Sequence, residues 1–94
     1  MNEPEIDIKP IAPRVHLNGT SRDVLLEQLQ NSTRKCYDAL TGLNESWPNA
    51  RDYYINGFPN DWDRCGREWS SRRARILSVI EELEAIQEDV ANQP

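Results

Sequence analysis

Residues Asn60 to Ala91 read NDWDRCGREWSSRRARILSVIEELEAIQEDVA, and their spacing decides the fold. Trp62, Trp69, Ile76, Leu83 and Val90 recur every seven residues. A second apolar row, Cys65, then Val79 with Ile80, then Ile86, follows three or four residues later. That is the heptad seam of a helix burying one stripe against other helices. The seam has one gap, because Arg72 and Arg73 stand where the second row should continue. The spacing predicts a helix over about 60–91, with Asn60 or Asp61 as its cap and Asp61 and Asp63 at the positive end of its dipole.

Upstream, residues 48–59 read as a loop. Pro48 disfavours helix at Trp47 and removes a backbone donor. Asn49, Asn56, Gly57 and Pro59 are turn formers. Twelve residues is long for a helix–helix connection, and the loop carries Arg51, Tyr53, Tyr54 and Phe58. It is either a packed cap over the end of the bundle or a binding loop.

Before the loop, a second helix is expected over about 21–47. Thr20 or Ser21 supplies its cap, with Asp23 as a capping-box partner of Thr20. Its buried row reads Leu25, Leu29, Ser32 or Thr33, Cys36, Leu40, Leu43 and Trp47. Val24, Leu26, Tyr37 and Ala39 widen that stripe, which implies more than one neighbour. Gly42 offers a place for close helix approach. Residues 1–14 hold Pro4, Pro10 and Pro13 and read as an extended or disordered arm. Ile6, Ile8, Ile11 and Val15 would let part of that arm lie along a neighbour. The fold expected is thus all-α: an antiparallel two-helix hairpin over 15–94 with an extended N-terminal arm, assembling into an oligomeric helical bundle.

Composition bounds the partners. Apolar residues make up 37% of 94, too few for two helices to bury a large core, so self-association into a dimer or higher oligomer is expected. A net charge of -5 argues against a general binder of nucleic-acid polymers or membrane surfaces. There is no charged-then-apolar leader and no apolar run long enough for a membrane span, so a cytoplasmic location is expected. Cys36 and Cys65 lack metal spacing and read as two buried thiols. Charge is segregated: Arg64, Arg67, Arg72, Arg73 and Arg75 precede Glu81, Glu82, Glu84, Glu88 and Asp89.

Two anion sites suggest themselves. If the hairpin closes directly through its loop, Trp47 lies near Asn60, Arg34 falls opposite Arg73 and Lys35 opposite Arg72. This basic belt would be long stems with solvated heads, an ion-pair layer between subunits, or an anion site. Nine arginines against two lysines lean toward the last two, since guanidinium suits bidentate phosphate recognition. The other site is the start of helix 1. There Asn18, Gly19, Thr20 and Ser21 expose N–H groups beside His16. The bland reading of these residues is an ordinary N-cap with a surface histidine. His16–Ser21 and Arg51–Tyr54 lie at opposite ends of one hairpin, so they would share a pocket only between two antiparallel protomers. Such a pocket would suit phosphate plus a stacked base.

Val15-His16-Leu17-Asn18-Gly19-Thr20-Ser21, Pro48-Asn49-Ala50-Arg51-Asp52-Tyr53-Tyr54 with Gly57, and Glu68, Arg72 and Val79-Ile80-Glu81-Glu82-Leu83 resemble a group of short helical-hairpin proteins of tailed phages and prophages. The likeness runs from about Val15 to Ile86. Ile55-Asn56 stands where Pro-Gln is expected, and Trp69 where a histidine is expected. The resemblance brings no established activity. By context and shape, it implies an anti-defence role as an oligomeric sponge for cyclic-nucleotide or ADP-ribose-type signals.

The function expected is therefore non-enzymatic binding of a small anionic nucleotide. Arg34, Arg51, Arg72 and Arg73 would supply charge, His16 and Asn18–Ser21 polar contacts, and Tyr53 and Tyr54 stacking. No cofactor or metal is expected. The alternative is a protein–protein interaction module that inhibits a host or phage protein through its acidic surface or its loop. An enzyme ranks third, because no metal cluster, nucleophile–base pair or framed pair of acids is visible.

Overall fold

The structure, a computed structural model, describes residues 9–53 and 59–94. Ile6, Ile8, Tyr54 and the Ile55–Phe58 part of the loop lie outside the described residues. Helix α1 spans Arg22–Glu45, a 3-10 turn spans Ala50–Tyr53, and helix α2 spans Pro59–Asn92. The two long helices run antiparallel, and no strand occurs among the described residues.

Local chemistry sets each boundary. Ser21 caps α1, its Oγ accepting the Val24 N–H at 3.2 Å. Thr20 is therefore not the cap, and Asp23 sits in the first turn without a capping-box partner there. At the other end, the Ser46 hydroxyl donates to the carbonyls of Gly42 at 3.1 Å and Leu43 at 3.2 Å. A serine bonded back to the preceding turn competes with helical continuation, so α1 closes before Trp47. The Asn49 side chain accepts the Arg51 N–H at 3.0 Å, and its carbonyl accepts the Asp52 N–H at 3.0 Å. This Asx-type turn starts the 3-10 segment. α2 opens at Pro59, whose missing N–H and preset φ suit a first helical position. Asn60 and Asp61 lie inside the first turn and do not cap it.

The seam is real but shallow. Cys65, Ile80 and Val90 are the buried apolar side chains, with Thr33 beside them on α1. Ile76, Leu83, Ile86, Leu25, Leu29, Cys36, Leu40 and Leu43 are half-buried. Thr33 rather than Ser32 faces the partner helix, its Oγ1 accepting from Gln87 Nε2 at 3.4 Å. Val79 leaves the seam and is 46% exposed. Both cysteines are free; Cys65 is buried and Cys36 half-buried.

The helices meet in a different register from the one expected. Trp47 lies edge-on against Trp69, with ring centroids 5.7 Å apart, and not near Asn60. Further along, Tyr37 bonds Glu84 and Thr33 meets Gln87. Arg34 is thus level with the Gln87 region, far along α2 from Arg73, and the two do not oppose each other. The basic belt does not form. Arg34, Lys35, Arg72 and Arg73 are all exposed. The shift has a simple origin. α1 has 24 residues and α2 has 34, so α2 is longer by about 15 Å. Its first turns project past the end of α1, where the 3-10 turn packs on them.

The opposite end is latched. Arg22 Nη2 donates to the carbonyls of Gln93 and Pro94. Both carbonyls lie just past Asn92, so the cation sits beside the negative end of the α2 dipole. The Gln93 amide acts as a peptide surrogate for the arm. Its Oε1 accepts the Val15 N–H at 2.8 Å, and its Nε2 donates to the Pro13 carbonyl at 2.7 Å. Val15 is half-buried there, while Ile11 is 94% exposed and lies along no neighbour.

Two outcomes follow from this packing. A Cβ built on Gly42 meets nothing within 4 Å, so Gly42 permits no close helix approach within the hairpin. Gly42→Ala therefore stabilises the fold by about 0.5–1 kcal/mol through lost unfolded-state entropy, read as a raised thermal midpoint. Gln93→Ala removes both amide contacts to the arm. Hydrogen exchange at the Val15 amide then accelerates by about tenfold.

Candidate functional site

The projecting turns of α2 gather the charge and the aromatic rings. Arg64, Arg67, Glu68, Ser71, Arg72 and Arg75 recur three or four residues apart, which places them on one helix face. They line an open cleft of about 530 Å³. Beside it a second cleft, of about 460 Å³, is lined by Tyr53, Asp61, Arg64, Cys65, Glu68, Trp69 and Arg72. The 3-10 turn supplies Tyr53, whose ring lies against Trp62 with centroids 5.6 Å apart. Arg72 stacks over Trp69, its guanidinium carbon 5.1 Å from the ring centroid. Arginine and aromatic faces are thus presented together.

One carboxylate tempers this charge. Glu68 pairs with Arg64 at 3.2 Å and lies 4.0 Å from Arg72. Both are i,i+4 pairs on an exposed face, worth about 0.3–0.5 kcal/mol each, so they hold the arginines loosely. Arg67 and Arg75 make no ion pair among the described residues; Arg75 Nε instead donates to the Ser71 carbonyl at 3.3 Å.

The Tyr53 phenol sits beside Cys65. Its hydrogen bond with the Cys65 thiol, then burial, hold its pKa above the ordinary phenol range, with smaller contributions from Cys65, Asp52 and Glu68 charge. Tyr37 is raised for a different reason, donating to Glu84 Oε2 at 3.2 Å beside that negative charge.

The sequence-derived residues fall into separate places. Tyr53 and Arg72 share the cleft, and Arg51 is exposed on the same 3-10 turn. Arg73, next to Arg72 on α2, is exposed and lines neither cleft. Arg34 sits midway along α1, bonded to Asn31. Tyr54 lies outside the described residues. His16, Asn18, Gly19, Thr20 and Ser21 occupy the latched end, about 36 Å away along α1. There the Gly19 N–H bonds the His16 carbonyl at 3.1 Å, and the His16 ring folds back onto Gly19. A Cβ at Gly19 would come within 2.5 Å of His16 Nε2. Arg64, Arg67, Trp62, Trp69 and Arg75 are functional candidates beyond those expected from facing arginines. The signal for them is their spacing along α2 alone. Comparison with protein-family models, curated proteins and solved structures finds no match for this chain.

Both raised phenols titrate late in the native protein. Raised native values mean that the stability due to neutral Tyr37 and Tyr53 is full below the unfolded phenol value of about 10 and is lost as pH rises through the native values. Phenolate absorbance should therefore rise later in native than in denatured protein. Tyr37→Phe should remove one of the late-titrating groups.

Proposed function

We propose that this protein is a non-enzymatic binder of a small anionic nucleotide, held at the loop end of the hairpin. The supporting observation is the convergence of Arg64 and Arg72 with Tyr53 and Trp69 on one cleft. Guanidinium groups suit phosphate oxygens, and the ring faces suit a base. The open, shallow cleft matches a ligand grasped at its edges by charge and stacking. With the resemblance to short phage hairpins, the role proposed is sequestration of a host immune signalling nucleotide, as an anti-defence sponge. Arg51 would add charge from the 3-10 turn. Arg34 and Arg73 drop out of this version of the site, because neither lines the cleft.

The test is a thermal-shift screen with cyclic di- and trinucleotides and cyclic ADP-ribose isomers. A true ligand at 100 times its Kd stabilises the protein by about 2.7 kcal/mol. Arg72→Gln should then weaken that ligand by about tenfold or more, through loss of a charged hydrogen bond. If no compound shifts the midpoint and one host protein co-purifies stoichiometrically, the interaction-module reading replaces this one.

A further inference from the structure

The two clefts of α2 share Arg64, Glu68 and Arg72. These residues stand four apart and form one row along the helix. The two sides of that row differ in chemistry. One holds Arg67, Ser71 and Arg75 and no ring. The other holds Tyr53 and Trp69, together with Asp61. The Trp69 face already carries Arg72, which leaves Tyr53, backed by Trp62, as the ring on which a base can stack. Glu68 is held by Arg64 at 3.2 Å, whereas Asp61 makes no ion pair among the described residues. A free carboxylate offers acceptors and no donor. Arg64 lies three residues after Asp61, on the same face. It uses its Nε on Glu68, so its Nη groups remain donors. A base stacked on Tyr53 therefore meets a pair of acceptors with a donor beside them.

We propose that this cleft selects guanine nucleotides, with Asp61 accepting from N1–H and the 2-amino group and Arg64 donating to O6. Guanine alone among the common bases presents two adjacent donors beside an acceptor on its pairing edge. Adenine and cytosine set one amino group beside a ring-nitrogen acceptor, which a carboxylate repels. Uracil flanks its one N–H with two carbonyls. The assignment rests on the nucleotide-binding reading and refines it. Arg72 keeps the phosphate, with Arg67 and Arg75 across the row, while Arg64 turns to the base. The spacing fits one nucleotide. The Arg72 guanidinium lies over Trp69, eight residues past Asp61, or about 12 Å along the axis. Charge sets the direction, since Asp61 repels the phosphate end and the arginines attract it.

Cyclic di-GMP, cyclic di-IMP and cyclic di-AMP carry the same phosphates, so differences among them report the base. In calorimetric titrations of the full chain, cyclic di-GMP should bind about tenfold more tightly than cyclic di-AMP. Cyclic di-IMP, which lacks the 2-amino group, should fall between them. Asp61→Asn replaces one acceptor with a donor and should bring the ratio of guanine to adenine affinity close to one. Circular dichroism checks that the variant keeps its helices, and the inosine comparison uses the unaltered protein. Equal affinity for the three compounds would overturn the assignment and leave nucleotide binding standing. So would a guanine preference that survives in a folded Asp61→Asn, or binding confined to adenine compounds such as cyclic ADP-ribose. If no nucleotide binds, the nucleotide reading itself fails and the assignment fails with it.

Discussion

Trp47 against Trp69 at one end, and Arg22 on the carbonyls just past α2 at the other, fix how far one helix slides along the other. Neither contact is strong alone. An edge-on aromatic pair adds about 0.5–1.5 kcal/mol beyond its burial. A cation at a helix C-terminus adds about as much. Their effect is positional, because a helix surface repeats itself every turn or two and an apolar seam alone tolerates slippage. With both ends pinned, the surplus length of α2 must emerge at the loop end. The 3-10 turn folds over that surplus and brings Tyr53 onto Trp62 and Cys65.

The projecting turns are therefore unusual for α2. They have lost α1 as a neighbour but retain two tryptophans and a run of arginines. The ion pairs there share one acid, Glu68, and lie on an exposed face. Their combined worth, below about 1 kcal/mol, is too small to explain the arginines as stabilisers. Arg72 is the most constrained, since it stacks on Trp69 and reaches Glu68 at once. A guanidinium oriented by a ring and only weakly satisfied by a carboxylate keeps several of its donors free.

Much of the fold was legible because it rests on local rules. The seven-residue spacing marks α2, Pro48 and the turn residues mark the loop, and Ser21 is one of two adjacent residues with the chemistry to cap α1. The register was not legible. Heptad spacing tells which face of a helix is buried and says nothing of axial position, since a seven-residue slip restores the same face. The expected hairpin assumed that the helices meet directly across the loop. Trp47 instead lies nine residues further along α2 than Asn60, a slip of about 14 Å. That slip dissolved the Arg34–Arg73 belt and moved the candidate site to Arg64, Trp69 and Tyr53. Those residues were visible as a charge cluster and an aromatic loop, but their meeting depended on the slip.

The charge order of α2 carries a cost within one chain. Asp61 suits the first turn, yet the last turn holds no base, and Asp89 and Glu88 stand near the negative end of the dipole. Arg22 offsets part of this by binding the Gln93 and Pro94 carbonyls, although its Nε remains buried without a partner. Glu84 is engaged by Tyr37. Glu82 and Glu88 find no cation among the described residues, while Arg67 and Arg75 find no acid. Val79, too, is left in water by the hairpin, 46% exposed. The same length mismatch that uncovers the arginines thus also frames the cleft that Tyr53, Arg64, Trp69 and Arg72 line.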